Sequence, residues 1–433
     1  MDTLGMDKRT PSEQLDFELE RRAESRDEIV KLKSYLDQKL YFQFLDSSLS
    51  YISNESIKFI GNELLCYLVN VILPLRSNFD PLKFASFVGE VIARSSTTIK
   101  VNLDVLNGII GNEDCYENKE EYNNASLTRE QNIAPKQEIQ GDLYLRCLLA
   151  LEYSKSKDYC YECEDLLEFL TKKLDEYRGV DTSIMGLYHR SYASFERTMN
   201  RTSKFYRQTM LYLTYTPINL IPLKEIPSLV YELVIAAVTS DDIYNLGELV
   251  LHPIIQEFSS INKGLNTENI DQSLLNKFKE NSWLLEVLVS LHEGDMDSFV
   301  KVAKEHQSKI EGTPLSLPEA QISIRKKTTT LALMDLAFKK GKDERNISFD
   351  EIANHCGIGT NDIELLVMRA INMNLIRGFI DQASQTVEVT WVHPRILDKT
   401  RIQLLKDKLD NWISSAERLV SHLEDVAPEL VNC

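Results

Sequence analysis

Between Arg345 and Leu397 the hydrophobic spacing of this chain switches from helical to alternating, which restricts that stretch to a small helix-helix-hairpin module. Ser348 followed by Glu351 reads as a capping box, each side chain bonding the other residue's free backbone N–H. Phe349, Ile352 and Ala353 give the short helix behind it an apolar face. Gly357, after Cys356, suits the left-handed residue that closes such a helix. Thr360 and Asp362 are expected to restart one, capping its N–H groups and placing negative charge at its positive end. In the second helix Ile363, Leu366, Val367, Ala370 and Ile371 line one face. Past Asn374 the pattern alternates, with Ile376, Gly378 and Ile380 in one strand, Val387, Val389 and Trp391 in the next, and Asp381 to Gln385 as the turn.

Two close helices followed by a hairpin describe a winged helix, a variant of helix-turn-helix that often binds DNA. The charges here argue for protein instead. From Lys326 to Leu397 there are nine Lys/Arg and nine Asp/Glu, and the second helix sets Asp362 and Glu364 against Arg369 alone. Phosphate contacts need clustered positive charge. In a two-stranded wing the outer strand has unpaired backbone groups, so Val387, Val389 and Trp391 are the expected interface edge.

A chain of 433 residues exceeds one ordinary core, and 16 Gly with 12 Pro are too few for a loop-rich one. The residues before the winged helix read as helix after helix. Leu32, Leu36, Leu40 and Phe44 mark a first helix, Ile57 to Leu73 a second, and Asn78-Phe-Asp-Pro a break before Phe84 to Ile92. Leu143 to Tyr153 pairs with Cys160 to Tyr177, and Ile184 to Met199 with Ser203 to Tyr215. Ala150, Ala193 and Ala236 recur every 43 positions, a period that fits stacked helical pairs. Tyr188, Tyr192, Phe205, Tyr206, Tyr212 and Tyr215 are expected between helices, because no strand presents them as a base-stacking platform. Asn112 to Gly141, with seven acidic and three basic residues, is expected to be a mobile insert, and Ser259 to Asn281 a milder one. The array resumes at Trp283 to Leu291, turns at Gly294-Asp295 and continues from Met296 to His306, with Pro314 and Pro318 marking its exit. Leu331, Met334 and Phe338 begin a helix apolar nearly all round, hence buried.

Beyond Pro394 a last helix carries Ile402, Leu405, Leu409, Trp412, Ala416, Leu419, Leu423 and Val426 in alternating steps of three and four. That is a coiled-coil seam, which a lone helix cannot bury; a partner helix or bundle is favoured over folding back on its own domain. The resulting division is a tail over 1–25, an array over 26–325, a winged helix over 326–397 whose module reaches back to about 225, and a final helix over 398–427.

Several functions lack their residues. The longest apolar run, Leu64 to Leu75, is interrupted by Tyr67, Asn70 and Pro74, short of the roughly 20 residues of a membrane span. Asp2, Asp7, Lys8 and Arg9 do not open a signal peptide. A net charge of −17 disfavours nucleic acid and lipid surfaces. Seven cysteines without regular spacing fit a reducing compartment. The pair Cys160 and Cys163 lacks a second ligand pair for zinc and reads as two helix cysteines. There is no phosphate-cradling G-x-x-x-x-G-K-[ST], no H-E-x-x-H, and Gly357-Ile-Gly359 lacks the third glycine of a dinucleotide site. No catalytic, cofactor-binding or metal-binding residue is therefore assigned.

Phe349-Asp-Glu-Ile-Ala, Ile363-Glu-Leu-Leu-Val-Met-Arg-Ala-Ile, Gly378-Phe-Ile-Asp and Val389-Thr-Trp-Val-His-Pro-Arg resemble the PCI module of the non-ATPase subunits of the proteasome regulatory-particle lid. Asp242-Ile-Tyr-Asn-Leu-Gly-Glu-Leu-Val-Leu-His-Pro resembles the segment preceding that module. The resemblance implies a mainly α chain: a right-handed helical-repeat solenoid, then a winged helix with a small β-hairpin, then a long helix. It also implies a non-catalytic, cytoplasmic and nuclear scaffold without cofactors, whose wing pairs with other PCI subunits and whose last helix joins a bundle of lid C-termini in a hetero-oligomer. PCI subunits of the signalosome or of translation initiation factor three are nearer alternatives, and a nucleic-acid-binding winged-helix protein a more distant one.

Overall fold

The computed structural model describes residues 13, 26–53, 63–95, 97–110, 133–177, 179–263, 272–293, 301–302, 304–310, 313–340, 346–393 and 399–426. The chain divides into two compact units, Met1–Glu225 and Ile226–Cys433. Helices of the 226–325 stretch therefore group with the winged helix in the second unit.

The first unit is helical throughout its described residues. Its opening differs from the single helix expected over Leu32 to Phe44. Helix α1 (Arg26–Asp37) stops and α2 (Tyr41–Ser53) begins anew. Lys39 takes φ 57°, and the Lys39 and Leu40 N–H groups bond back to Leu36 and Tyr35, closing α1 with a left-handed turn usually made by glycine. Leu32 and Phe44 are buried while Leu40 is exposed, because the turn redirects the chain between them. Of the helix expected over 57–73, the described part starts with α3 (Glu63–Tyr67), loosens to a wider turn over Leu68–Ile72 and tightens to a 3-10 turn over Leu73–Asn78. That change of pitch accommodates Pro74, which has no N–H to give an α-helix. Helices α4 (Pro81–Arg94) and α5 (Ile99–Ile110) follow.

Helix α6 (Ile133–Ser154) packs on α7 (Cys160–Glu176), and α8 (Thr182–Thr198) on α9 (Thr202–Tyr215), the two pairs read from sequence. Because α6 begins at Ile133, the last nine residues of the loop expected over 112–141 are helical; residues 111–132 lie outside the described ones. Asp181 starts α8 by accepting the Ser183 N–H at 2.8 Å. Asn200, at φ 56°, closes it, with the Asn200 and Arg201 N–H groups bonding back to the Arg197 and Glu196 carbonyls. Ala150 and Ala193 are both buried, and so are Tyr188, Phe205, Tyr206 and Tyr212. Cys163 also faces inward: its thiol donates to the Ala150 carbonyl at 3.5 Å, and burial pushes its pKa up to about 12.

The second unit begins with α10 (Ile226–Thr239), α11 (Gly247–Leu251) and α12 (Pro253–Asn262). Helix α13 (Gln272–Glu280) occupies much of the stretch expected to be a second insert, since Phe278 buries fully and stacks near Phe258 at 5.1 Å. Helices α14 (Trp283–Glu293), α15 (Gln307–Ile310) and α16 (Pro318–Lys339) lead on, while the expected turn at Gly294-Asp295 and most of the helix from Met296 lie outside the described residues.

Helix α16 is buried along Lys327 to Ala337, as its all-round apolar pattern implies. Its polar residues satisfy themselves. The Thr328, Thr329 and Thr330 hydroxyls donate to the carbonyls of Ile324 and Lys326, three or four residues back. Lys327 reaches the C-terminal end of α10, where its Nζ donates to the Ala237 and Ser240 carbonyls and lies 5.7 Å from the Tyr244 ring centre. This is a cation at the negative end of a helix. Burial nevertheless lowers its pKa to about 7, against the opposing pull of Asp241 and Asp242.

The winged helix comprises β1 (Asn346–Ser348), α17 (Phe349–Cys356), α18 (Ile363–Asn372), β2 (Ile376–Asp381) and β3 (Thr386–Val392). Its sheet has the order β1-β3-β2, with both neighbours antiparallel to β3. Sequence reading missed β1, which is three residues long and has one buried side chain, Ile347. No helix among the described residues is long and apolar enough to cross a membrane.

Candidate protein interface

Two features of the second unit could engage a partner: the wing and the final helix. The wing rests on the helices before it. Ser348 caps α17 by accepting the Glu351 N–H at 3.3 Å, but only half of the expected capping box forms. The Glu351 carboxylate instead bonds Lys340 at 2.8 Å, tying α17 to the end of α16. Gly357 closes α17 at φ 63°. Neither Thr360 nor Asp362 caps α18 with its side chain; a 3-10 turn over Thr360–Asp362 feeds the helix directly, and Asp362 and Glu364 supply only charge. Asn374, at φ 55°, closes α18 and turns the chain into β2, with the Asn374 and Leu375 N–H groups bonding back to the Ile371 and Ala370 carbonyls.

The expected interface strand is the middle one. Ile347 pairs with Val387 on one side and Ile380 pairs with it on the other, and both Val387 and Val389 are buried. Neither side chain can meet a partner without unfolding the wing. The error lay in treating the wing as two strands, when β1 supplies a third along Thr386 to Glu388. Trp391 is partly exposed, held between the Arg377 guanidinium, 4.8 Å from its ring centre, and the His393 ring at 5.9 Å. Among the described residues the edge strands of this sheet are β1, three residues long, and β2, the longer one, which carries Phe379 at 71 % exposure. Its register shift at Arg377/Gly378 is possible because residue 378 is glycine; a Cβ there would lie 2.1 Å from the Glu388 carbonyl oxygen.

The outward side of α18 presents Leu365 and Met368, with the acidic residues Asp362 and Glu364 in its first turn. In a DNA reader this face would carry donors and positive charge.

The final helix, α19 (Lys399–Val426), is 28 residues long. Ile402, Leu405, Leu409, Trp412, Leu419 and Leu423 are 42–71 % exposed, and Ala416 is exposed beside them. Val426 is the last helical residue, and its side chain lies outside the described ones. The seam is thus not folded back against its own unit; a cation–π contact places Lys408 of this helix 5.6 Å from the ring centre of Phe338. Ile413 and Val420, which the narrow seam did not include, are exposed at 49 % and 48 %. They widen the stripe from the two positions per heptad of a coiled-coil pair to the three of a bundle helix.

Comparison with known proteins places the wing within a matched family domain, which ends before the final helix. The family described as PSD13 N-terminal repeats matches residues 28–266, and the PCI domain family matches residues 316–391. The 26S proteasome non-ATPase regulatory subunit 13 of Dictyostelium discoideum is 28 % identical over 270 residues, 62 % of this chain and 65 % of that protein. Homolog B of the same subunit in Arabidopsis thaliana is 26 % identical over 372 residues, covering 86 % of each chain. The 26S proteasome regulatory subunit RPN9 of Saccharomyces cerevisiae is 31 % identical over 307 residues, 71 % of this chain and 72 % of that protein. The PCI match begins at residue 316, and the repeat match ends at residue 266, within the second unit.

Proposed function

Because the chain belongs to the family defined by PSD13 N-terminal repeats and also carries a PCI domain, we propose that it is a non-catalytic scaffold subunit of the proteasome regulatory-particle lid. It supports lid assembly, and through it the ATP-dependent degradation of ubiquitinated proteins, in the cytoplasm and nucleus. Its partners are other lid subunits. The relatives that support this are named as proteasome regulatory subunits, two of them as non-ATPase subunits.

The observation that carries the reading is the solvent-facing stripe of α19, where Leu409, Trp412 and Leu419 stand 49–71 % exposed on one helix. A soluble monomer rarely leaves so continuous an apolar stripe uncovered. Partner helices would cover it in a bundle, and the open edge of β2, with Phe379, would extend a neighbouring sheet. This relocates the wing interface from Val387 and Val389 to β2.

A native pull-down of the tagged chain, with its companions identified by mass, tests the reading. Proteasome lid subunits are expected. Recovery of signalosome or initiation-factor subunits, or of nucleic acid, in their place would overturn it.

A further inference from the structure

Three polar features lie outside the assembly surfaces. Lys327 is occupied by the Ala237 and Ser240 carbonyls, and the buried Glu196 carboxylate sits 3.7 Å from Arg201 and 3.9 Å from Lys204. The third is a cleft of about 600 Å³ in the second unit, whose polar groups are differently placed.

Tyr231 of α10 forms one wall of the cleft, Asn276 and Lys279 of α13 another, and Lys309 of α15 a third, with the buried Trp283 of α14 as the floor. Asn281 joins them from the turn after α13. Its Nδ2 donates to the Pro227 carbonyl at 3.3 Å, which orients the amide and leaves its oxygen as an acceptor. Among the described residues, the Lys279 and Lys309 ammonium groups, the Asn276 amide and the Tyr231 hydroxyl make no hydrogen bond or ion pair. In a chain with 66 acidic and 49 basic residues, two lysines beside one cleft without a carboxylate partner form a local inversion of charge. Glu280 is the acidic residue among the described lining residues, so the two lysines leave that described lining net positive.

The dimensions select among anionic ligands. A lone inorganic anion fills a small part of 600 Å³, whereas several residues of extended peptide fill it well. Asn276, Lys279 and Lys309 are exposed, so the cleft is open along its flank, as a chain that enters and leaves requires. Side-chain amides satisfy both donors and acceptors of a peptide backbone, and lysine ammonium groups engage carboxylates as point charges.

We propose that this cleft binds an acidic peptide segment of a partner protein, with Lys279 and Lys309 taking its Asp or Glu side chains and Asn276 and Asn281 its backbone. The site is independent of the α19 stripe and of the β2 edge.

Fluorescence anisotropy of the full-length protein tests it, using a fluorescein-labelled octapeptide of Asp and Glu with one central Phe, and the matching Asn/Gln peptide. The acidic peptide is expected to bind and to weaken as salt rises, and the amide peptide to bind at least tenfold less well. Lys279→Glu with Lys309→Glu should cost at least tenfold in affinity at unchanged melting temperature, because both side chains are exposed. If that pair lowers the melting temperature, Lys279→Gln with Lys309→Gln is compared instead, with a loss of at least threefold expected. Equal binding of the two peptides, or no loss in the lysine variants, would overturn the proposal. So would full displacement by low-millimolar inorganic phosphate, which would mark a site for free anions.

Discussion

Lys327 shows how a single residue can be both well placed and electrostatically penalised. Its ammonium bonds two carbonyls at the end of α10, yet burial lowers its pKa from the usual 10.5 to about 7. Between those values the unfolded chain binds the proton that the folded chain releases, so folding is favoured increasingly as pH rises from about 7 to about 10. Below pH 7 both states are charged and the full burial penalty remains. The unfolding free energy of the wild type relative to Lys327→Met, measured by urea unfolding, should therefore rise across that window, with a slope of at most about 1.4 kcal/mol per pH unit. A difference independent of pH would contradict the assignment. Gly378 is constrained sterically instead. An alanine Cβ would meet backbone, the Glu388 oxygen at 2.1 Å, so Gly378→Ala should destabilise the second unit by about 1–3 kcal/mol in urea unfolding. Unchanged stability would mean the bulge tolerates a side chain.

Among the elements, what was legible in the sequence depended on whether a residue's neighbours lay close in the chain. Ser348 and Gly357 punctuate α17 as expected, and the i, i+3, i+4 stripes of α18 and α19 are present, because caps and periodicity are local. Strand β1 was not legible: it is three residues long and owes its existence to Val387, about 40 positions away. That one omission turned a central strand into an apparent edge and misplaced Val387 and Val389 as interface residues. The break at Lys39 was hidden for a related reason, since a lysine with φ 57° carries no sequence signal of the kind glycine gives. The two stretches read as inserts are partly helical because Ile139 and Phe278 find buried positions that composition does not reveal. Seven of the eight candidate seam residues, Ile402 to Leu423, have described side chains and are exposed, but Ile413 and Val420, exposed beside them, fall outside a strict three-four repeat. These assignments separate two sets of variants. Leu409→Asp with Leu419→Asp, and separately Phe379→Asp, alter exposed side chains and should leave the unfolding free energy of the isolated chain unchanged within about 0.5 kcal/mol, while weakening lid incorporation measured by co-purification. Val387→Pro should instead unfold the wing, because it removes an N–H from a strand with a neighbour on each side. A seam or Phe379 variant that assembles like the wild type would remove that surface from the interface.

At the scale of the whole molecule, a chain with a net charge of −17 presents an acidic first turn and exposed Leu365 and Met368 where a DNA-binding winged helix would present a basic stripe. Electrophoretic mobility shifts with RNA or duplex DNA near physiological salt should show no binding; sub-micromolar, salt-sensitive binding would restore the nucleic-acid reading. The central claim is that α19 is held ready for other chains rather than for its own fold. Each Leu-sized side chain of its stripe gains roughly 1.5–3 kcal/mol when fully buried, so six of them outweigh much of the entropy lost on association. Deleting Lys399 to Cys433 tests this most directly, by comparing the melting temperature of the truncated chain with its co-purification with lid subunits. The account predicts an unchanged melting temperature and lost assembly. A lowered melting temperature with newly exposed apolar surface on the monomer, or a stable truncation that still assembles fully, would contradict it.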